Sequence, residues 1–464
     1  MSADILTLPV AELTARYRSK SLSPVEVAEA HLARAEIIDG KLSAFQLITP
    51  DLAREQARAS EARWRADSPI GSLDGVPVTI KDNFDVAGLP TRFGSLTVSD
   101  RPAAEDVPSV ARLREAGAVF IGKTTTPEFA WKGITDSALR GITRNPWNTA
   151  HSPGGSSGGA AAALAAGVGS LALGNDGGGS IRIPASLCGM FGIKPTFGRV
   201  PHAQSGLFCT LASSGPITRS VADAAAMLRV LVRPDDRDYY AVPPPAPDWL
   251  DNLEGGIEGL RIGYSPALQG IEPSDEVARA VRAAVELARD LGAEVEDVGP
   301  LLDPLRPIFE EHWRAGFAAR LRDVPREQWD LVDPGFRELA EAGLNVSGEA
   351  LNRAEIARAK LTEQMARFHR RYPLLLTATT RVTAPVADIL YNGPDYDRWQ
   401  VAVPYTVPFN LTGQPAASLP CGLSSTGLPI GLQVIGPRFA EPLVMRASQA
   451  LETALGFDSR PALA

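Results

Sequence analysis

The residues of this chain with the clearest chemical potential lie between Gly154 and Pro184, in the run GGSSGGAAAALAAGVGSLALGNDGGGSIRIP. Three consecutive glycines, Gly177, Gly178 and Gly179, deliver Ser180. Glycine loses the most backbone freedom on folding, so such a run makes poor helix and poor strand. It suits a place where peptide N–H groups approach a ligand, because successive N–H groups in a turn form a concavity that takes an anion. A serine at the end of that turn could attack a carbonyl carbon. The N–H groups of Gly177, Gly178, Gly179 and Ser180 would then hold the negative oxygen of the tetrahedral intermediate, and losing one such donor typically costs about 3–4 kcal/mol of transition-state stabilisation. The plainer alternative is a tight turn in which Ser180 caps the next helix.

A serine is a weak nucleophile until a base takes its proton. Of the histidines His31, His151, His202, His312 and His369, only His151 lies in this region, and no aspartate signal accompanies it. A Ser/His/Asp triad is therefore the weaker arrangement. The other candidate base is Lys81, in Pro77-Val78-Thr79-Ile80-Lys81-Asp82-Asn83. Val78 and Ile80 alternate with polar neighbours, which reads as a strand carrying Lys81 near its end. A lysine there is usually a solvated charge at a strand edge. It can act as a base only when neutral, and burial favours that by lowering the pKa of lysine.

With these residues stand PVTIKDNFDV, GAVFIGKTTTPEFA, NPWNTAHSPGGSSGG, GNDGGGSIRIPASLCGMFGIKPT, PFNLTGQPAASLPCG and GLPIGLQVIG. In order, residue type and spacing the chain resembles the amidase signature family, most closely over about residues 73–223 and 404–436. The resemblance implies Ser180 as nucleophile, Ser156 as a bridging serine preceded by a cis peptide bond, and Lys81 as the catalytic lysine. It implies that neutral Lys81 takes a proton from Ser156, that Ser156 takes one from Ser180, and that Ser180 attacks the amide carbon. The protons would return through Ser156 to the leaving nitrogen before water hydrolyses the acyl-enzyme. Asp176 and Arg182 flank the turn and are expected to pair and hold its shape. The resemblance also places Phe129 and Trp131 beside the acyl pocket as candidate substrate contacts, although aromatics in such a loop are more often core.

The elements that must position these groups can be read in outline. Leu8 to Tyr17 fits a short amphipathic helix. Ser23-Pro24-Val25-Glu26 carries a helix cap, a first-turn proline and a capping-box glutamate. A second amphipathic helix covers about Ala53 to Ala66, and this opening layer packs on the sheet or forms a homodimer interface. Asp106 to Ala116 reads as helix and Ala118 to Gly122 as strand. Gly117-Ala118-Val119-Phe120-Ile121-Gly122-Lys123-Thr124 matches a phosphate-binding loop by letter, but its middle residues form the strand itself and Pro127 interrupts any following helix. Ser170 to Leu173 reads as a short strand, and Gly158 to Gly174 as a buried small-residue helix rather than a membrane span. Ser220 to Val232 is a helix, and Pro234 to Asp251 a surface linker. Gly259–Tyr264, Asp275–Leu291 and Ala293–Val298 make a βαβ-type unit. Leu305 to Arg371 is mostly helical, Leu374 to Thr377 a strand and Glu441 to Leu455 a closing helix.

The expected architecture is α/β: one amidase-signature domain over residues 1–464, with a mixed, twisted central sheet, helices on both faces and a helical cap. Its signature core runs over about 70–230, a variable cap and substrate region over about 235–400, and a C-terminal return to the sheet over about 400–464. The net charge of −8 argues against nucleic acid or an anionic membrane as partner. Cys188, Cys209 and Cys421 cannot all pair and have no metal-ligand spacing, which reads as a reducing, cytoplasmic compartment. No cofactor and no metal is expected. The expected substrate is a small amide, with an apolar or aryl amide favoured and esters or carbamates such as aryl urethanes also open to the same nucleophile. The alternative is the glutaminase component of a transfer-RNA-dependent amidotransferase complex, which the resemblance would associate with an acidic residue where this chain has Val403 and Pro404.

Overall fold

A computed structural model describes residues 3–202, 208–244, 246, 249–387 and 404–461. Val403 lies outside the described residues. The chain opens with α1 (Val10–Arg18), α2 (Pro24–Leu42), β1 (Phe45–Ile48) and α3 (Pro50–Arg65). Ser23 caps α2 as expected: its side chain accepts from Val25 N–H, and Glu26 accepts the Ser23 N–H. β2 (Pro77–Lys81), α4 (Pro108–Glu115) and β3 (Val119–Thr124) follow, then the two-stranded pair β4 (Asp136–Ser137) and β5 (Gly141–Ile142). Lys123 sits inside β3, buried, with Nζ 3.1 Å from Asp82. It faces a carboxylate within the sheet, so the letter match to a phosphate loop has no structural counterpart.

The Ala-rich run divides in two. α5 (Gly158–Ala165) is one short buried helix, and β6 (Leu171–Asp176) is a strand. This corrects the single helix expected over 158–174 and lengthens the strand expected over 170–173. The ladder is the reason: β6 pairs antiparallel with β8 (Ser213–Thr218) all the way to Asp176↔Ser213, which carries the chain straight to the glycine turn. Gly159 lets α5 abut β3, since a Cβ there would lie 2.5 Å from Thr125 N and 2.6 Å from Ala44 O. After the turn come α6 (Arg182–Cys188) and β7 (Phe191–Lys194), and beyond β8 comes α7 (Val221–Leu231), capped by Ser220.

β9 (Arg261–Tyr264), α8 (Asp275–Asp290) and β10 (Glu294–Asp297) form the expected βαβ unit, with β9 and β10 parallel. Three helices then run together: α9 (Arg306–Arg322), α10 (Pro334–Gly343) and α11 (Gly348–Arg371). The chain returns through β11 (Leu374–Ala378), a short helix Val407–Leu411, β12 (Ala416–Leu423), β13 (Pro429–Ile435) and a closing helix Glu441–Leu455.

Eleven strands make one mixed sheet in the order β1-β3-β2-β6-β8-β7-β12-β13-β11-β9-β10. Parallel pairs (β3–β2, β2–β6, β11–β9, β9–β10) alternate in blocks with antiparallel ones, and helices flank the sheet. β2, β6, β8, β7 and β13 are buried along their whole lengths, as strands covered on both sides must be. Among the described residues, no helix is long and apolar enough to cross a membrane.

Candidate active site

Lys81 ends β2, between β3 and β6 in the interior of the sheet, and is fully buried. The edge-strand reading of this lysine is thereby excluded. Its Nζ lies 2.6 Å from Ser156 Oγ and 2.7 Å from Asn175 Oδ1, both neutral oxygens. Burial pushes the amine well below the ordinary lysine range, against a smaller opposing pull from the Asp176 charge. Ser156 follows a cis Gly155–Ser156 peptide, the bond the family resemblance implies. Gly155 is packed on the backbone of Ile134, to which a Cβ would come within 2.7 Å.

Ser180 is the most exposed of the three candidate residues. It is 8% exposed, against 1% for Ser156 and 0% for Lys81. Its carbonyl accepts the Ser157 N–H at 3.2 Å, which ties the glycine turn to the residue next to Ser156. Among the described residues no hydrogen bond joins Ser180 Oγ to Ser156 Oγ. Of the four N–H groups expected to hold an oxyanion, that of Gly179 is already engaged, donating to Asp176 Oδ1 at 2.8 Å. Those of Gly177, Gly178 and Ser180 meet no acceptor among the described residues. The turn therefore offers three uncommitted donors rather than four.

Asp176 is the keystone of the turn. Its carboxylate also accepts from Ile181 N at 3.2 Å, Arg182 Nε at 3.0 Å, Arg182 Nη2 at 2.8 Å and Asn410 Nδ2 at 2.9 Å. Burial alone would raise its pKa, but the Arg182 charge, the hydrogen bonds from Arg182 and Asn410, and Lys194 outweigh it and hold the group ionised. The expected Asp176–Arg182 pair is thus present and fully buried. Arg182 spends its remaining donors on Thr406 O, Gln433 Oε1 and Asn410 Oδ1, which knits the turn to the C-terminal part of the sheet.

His151 is not part of this cluster. Its Nδ1 lies 2.7 Å from the carbonyl of Ala384, in a short bridge between residue 151 and the segment after β11. Phe129 and Trp131 are both buried, in the loop after β3. Phe129 packs on Phe336 of α10 with ring centroids 5.0 Å apart and under the Arg320 guanidinium at 4.6 Å. Trp131 packs against Gly335, where a Cβ would lie 2.6 Å from its ring. Neither ring is shown against Ser180.

The side chains closest to the glycine turn from the other direction were not legible in the sequence. Phe208 and two residues of α9, Phe309 and Trp313, lie over Gly177 and Gly178. Asn175 and Asn410 were also missed as partners of Lys81 and Asp176.

The Amidase family model matches residues 26–445. An acylamidase of Rhodococcus erythropolis is 35% identical, covering 98% of this chain and 97% of its own length. A glutamyl-tRNA(Gln) amidotransferase subunit of Geobacter metallireducens is 34% identical, covering 99% of both chains. Among solved structures, a bacterial aryl acylamidase superposes with TM-score 0.88 at 29% identity over 96% of both chains, and a 6-aminohexanoate cyclic dimer hydrolase with TM-score 0.90 at 28% identity over 99% of both. The sheet, the buried lysine beside a serine behind a cis peptide, and these likenesses along nearly the whole chain show that this protein belongs to the amidase signature family.

Proposed function

We infer that the protein hydrolyses the C–N bond of small amides, with Ser180 as nucleophile, Ser156 as the bridging hydroxyl and Lys81 as the base. The observation that carries this reading is the 2.6 Å approach of a fully buried lysine to a serine hydroxyl. A neutral amine there has a lone pair for the Ser156 proton, while Asn175 Oδ1 accepts one N–H and fixes the amine. Ser156 then takes the proton of Ser180. One hydroxyl must rotate to close that second link, and catalytic hydrogen bonds commonly tighten only once substrate is bound. Ser180 Oγ adds to the carbonyl carbon, and the new oxyanion takes N–H donors from Gly177, Gly178 and Ser180. The protons return through Ser156 to the amine as the C–N bond breaks, and water adds to the resulting ester by the same route.

Esters and carbamates present the same carbonyl to the same nucleophile and are included in the proposed range. The test is a panel of aryl amides, aliphatic amides, carbamates and urea derivatives with the purified chain. Turnover that disappears in Ser180→Ala is the expected result, and full turnover in that variant would overturn the assignment. A second reading is favoured by the similarity to the amidotransferase component, which is as high as that to the acylamidase. Under it the chain alone would hydrolyse no simple amide and would need partner chains. The uncharged aromatic surface over Gly177 and Gly178 argues for the stand-alone enzyme, because free glutamine carries an ammonium and a carboxylate that both need partners when buried.

A further inference from the structure

Among the described residues, the rings over Gly177 and Gly178 carry one polar atom, the indole nitrogen of Trp313. A Cβ placed on Gly178 would lie 3.1 Å from Phe309 Cζ and 3.5 Å from Trp313 Cη2, and one on Gly177 would lie 2.9 Å from Phe208 Cδ2. These three rings therefore lie beside the N–H groups assigned to the oxyanion. Phe208 and Trp313 stack at 4.0 Å with an interplanar angle of 17°, Phe309 lies 4.5 Å from Trp313, and Phe317 meets it edge-on at 5.3 Å.

Trp313 is 2% exposed, and its indole Nε1–H is buried without an acceptor among the described residues. Buried tryptophans usually find a partner for this donor. Others in this chain do: Trp64 donates to Asp74 O, Trp147 to Cys188 O and Trp329 to Val324 O. Leaving such a donor unmatched costs about 1–3 kcal/mol. A trapped water would need two or more polar partners, and the rings around Trp313 supply none. The unmatched donor belongs to the ring whose Cη2 edge meets Gly178.

Resting on the amidase reading above, we propose that Trp313 is a specificity-determining residue of the acyl site. Its Nε1–H donates to an oxygen carried by the substrate's acyl group, and the ring cluster of Phe208, Phe309 and Trp313 forms the wall beside that group. The group in question is the acyl part rather than the amine, because the acyl part stays bound to Ser180 through both half-reactions while the amine must leave. A wall buried this deeply, in contact with the turn, suits the part that stays. The substrate class this selects is an amide with a compact, uncharged acyl group bearing an acceptor oxygen near its carbonyl, such as an alkoxyacyl or alkoxycarbonyl group, over the matching plain hydrocarbon acyl.

The test uses two substrates of the same shape, the para-nitroanilides of butanoic acid and of methoxyacetic acid, in which one methylene is exchanged for oxygen. Their intrinsic reactivities differ, but that difference cancels when the ratio of kcat/KM values is compared between the wild-type enzyme and Trp313→Phe. The expected result is that the preference for the methoxyacetyl substrate falls about tenfold in Trp313→Phe, the worth of one hydrogen bond. An unchanged preference overturns the proposal. Should Trp313→Phe not fold, replacement of Trp313 by benzothienylalanine keeps the shape, removes the donor and gives the same reading. Should the wild-type protein cleave neither anilide, the amidase reading fails by itself. Calorimetric binding of the two anilides to wild-type and Trp313→Phe protein then decides the inference, with tighter methoxyacetyl binding lost in the variant expected and equal binding in wild type fatal to it.

Discussion

The buried lysines of the described residues differ in what they face. Lys123 meets Asp82, and Lys132 meets Asp136 and Asp333, so their charges are compensated. Lys81 hydrogen-bonds only a serine and an amide oxygen, and Lys194 only the Pro195 carbonyl, with no carboxylate in direct contact. For Lys81 that difference is the basis of its proposed role. Replacing it by alanine should lower kcat for amides by roughly a hundred- to ten-thousandfold, the usual worth of general acid–base catalysis, and lower it less for esters, whose leaving group needs no returned proton. Steady-state rates on a matched anilide and phenyl ester check this, and equal losses on both would count against the proton return. The neutral amine is the active form, so kcat/KM should rise with pH through the lowered Lys81 pKa and then level. Lys194 titrates at about 7, burial being the main cause and Arg182 the next. Its folded pKa lies below its unfolded one, so the unfolded state binds more protons between about 7 and 10.5 and stability rises with pH across that window. In Lys194→Met the slope of Tm between those pH values should be less positive, as a pH series of thermal melts would show. The proposed nucleophile, bridging serine and base could be named from the chain because each sits in a distinctive local run. Asn175 could not, since an amide beside a strand end has no signature until the lysine it faces is placed beside it.

At the level of elements, local signals set what they could reach. The start of α2 was legible in four residues because a capping box is a short-range device. The end of β6 was not, because nothing local to Gly174-Asn175-Asp176 announces that β8 will pair with it to the last residue. The crossing of α9 and α10 depends on a similar distant fit. A Cβ on Gly343 would lie 2.6 Å from the carbonyl carbon of Arg314, so Gly343→Ala should push the two helices apart. Overpacking of this kind costs about 1–3 kcal/mol. A lower Tm is expected, accompanied by a raised KM if α9 carries the acyl wall, whereas an unchanged KM would detach that helix from substrate binding. Arg182→Met leaves Asp176 charged and buried without its partner, a loss of about 3–5 kcal/mol. Thermal melts and turnover should both show it.

Over the molecule as a whole, composition and charge spoke against certain partners more readily than they chose a substrate. The family was legible because its motifs are long and ordered. The acyl wall was not, because Phe208 and the α9 aromatics come from separate stretches that carry no motif and meet only over the glycine turn. The whole-chain prediction is that the purified protein hydrolyses a para-nitroanilide with no other protein present. Activity that appears only on adding the remaining components of a glutamyl-tRNA(Gln) amidotransferase would reverse it.

Arg182 has one further implication. The groups it grips, Thr406, Asn410 and Gln433, arrive more than two hundred positions after it in the chain. During synthesis Ser180, the proposed nucleophile, therefore emerges long before the clamp that shapes its turn. If Ser180 acts as proposed, a nascent or prematurely terminated polypeptide would carry it without a formed turn, and hydrolysis would be withheld until the C-terminal strands had left the ribosome and closed the sheet.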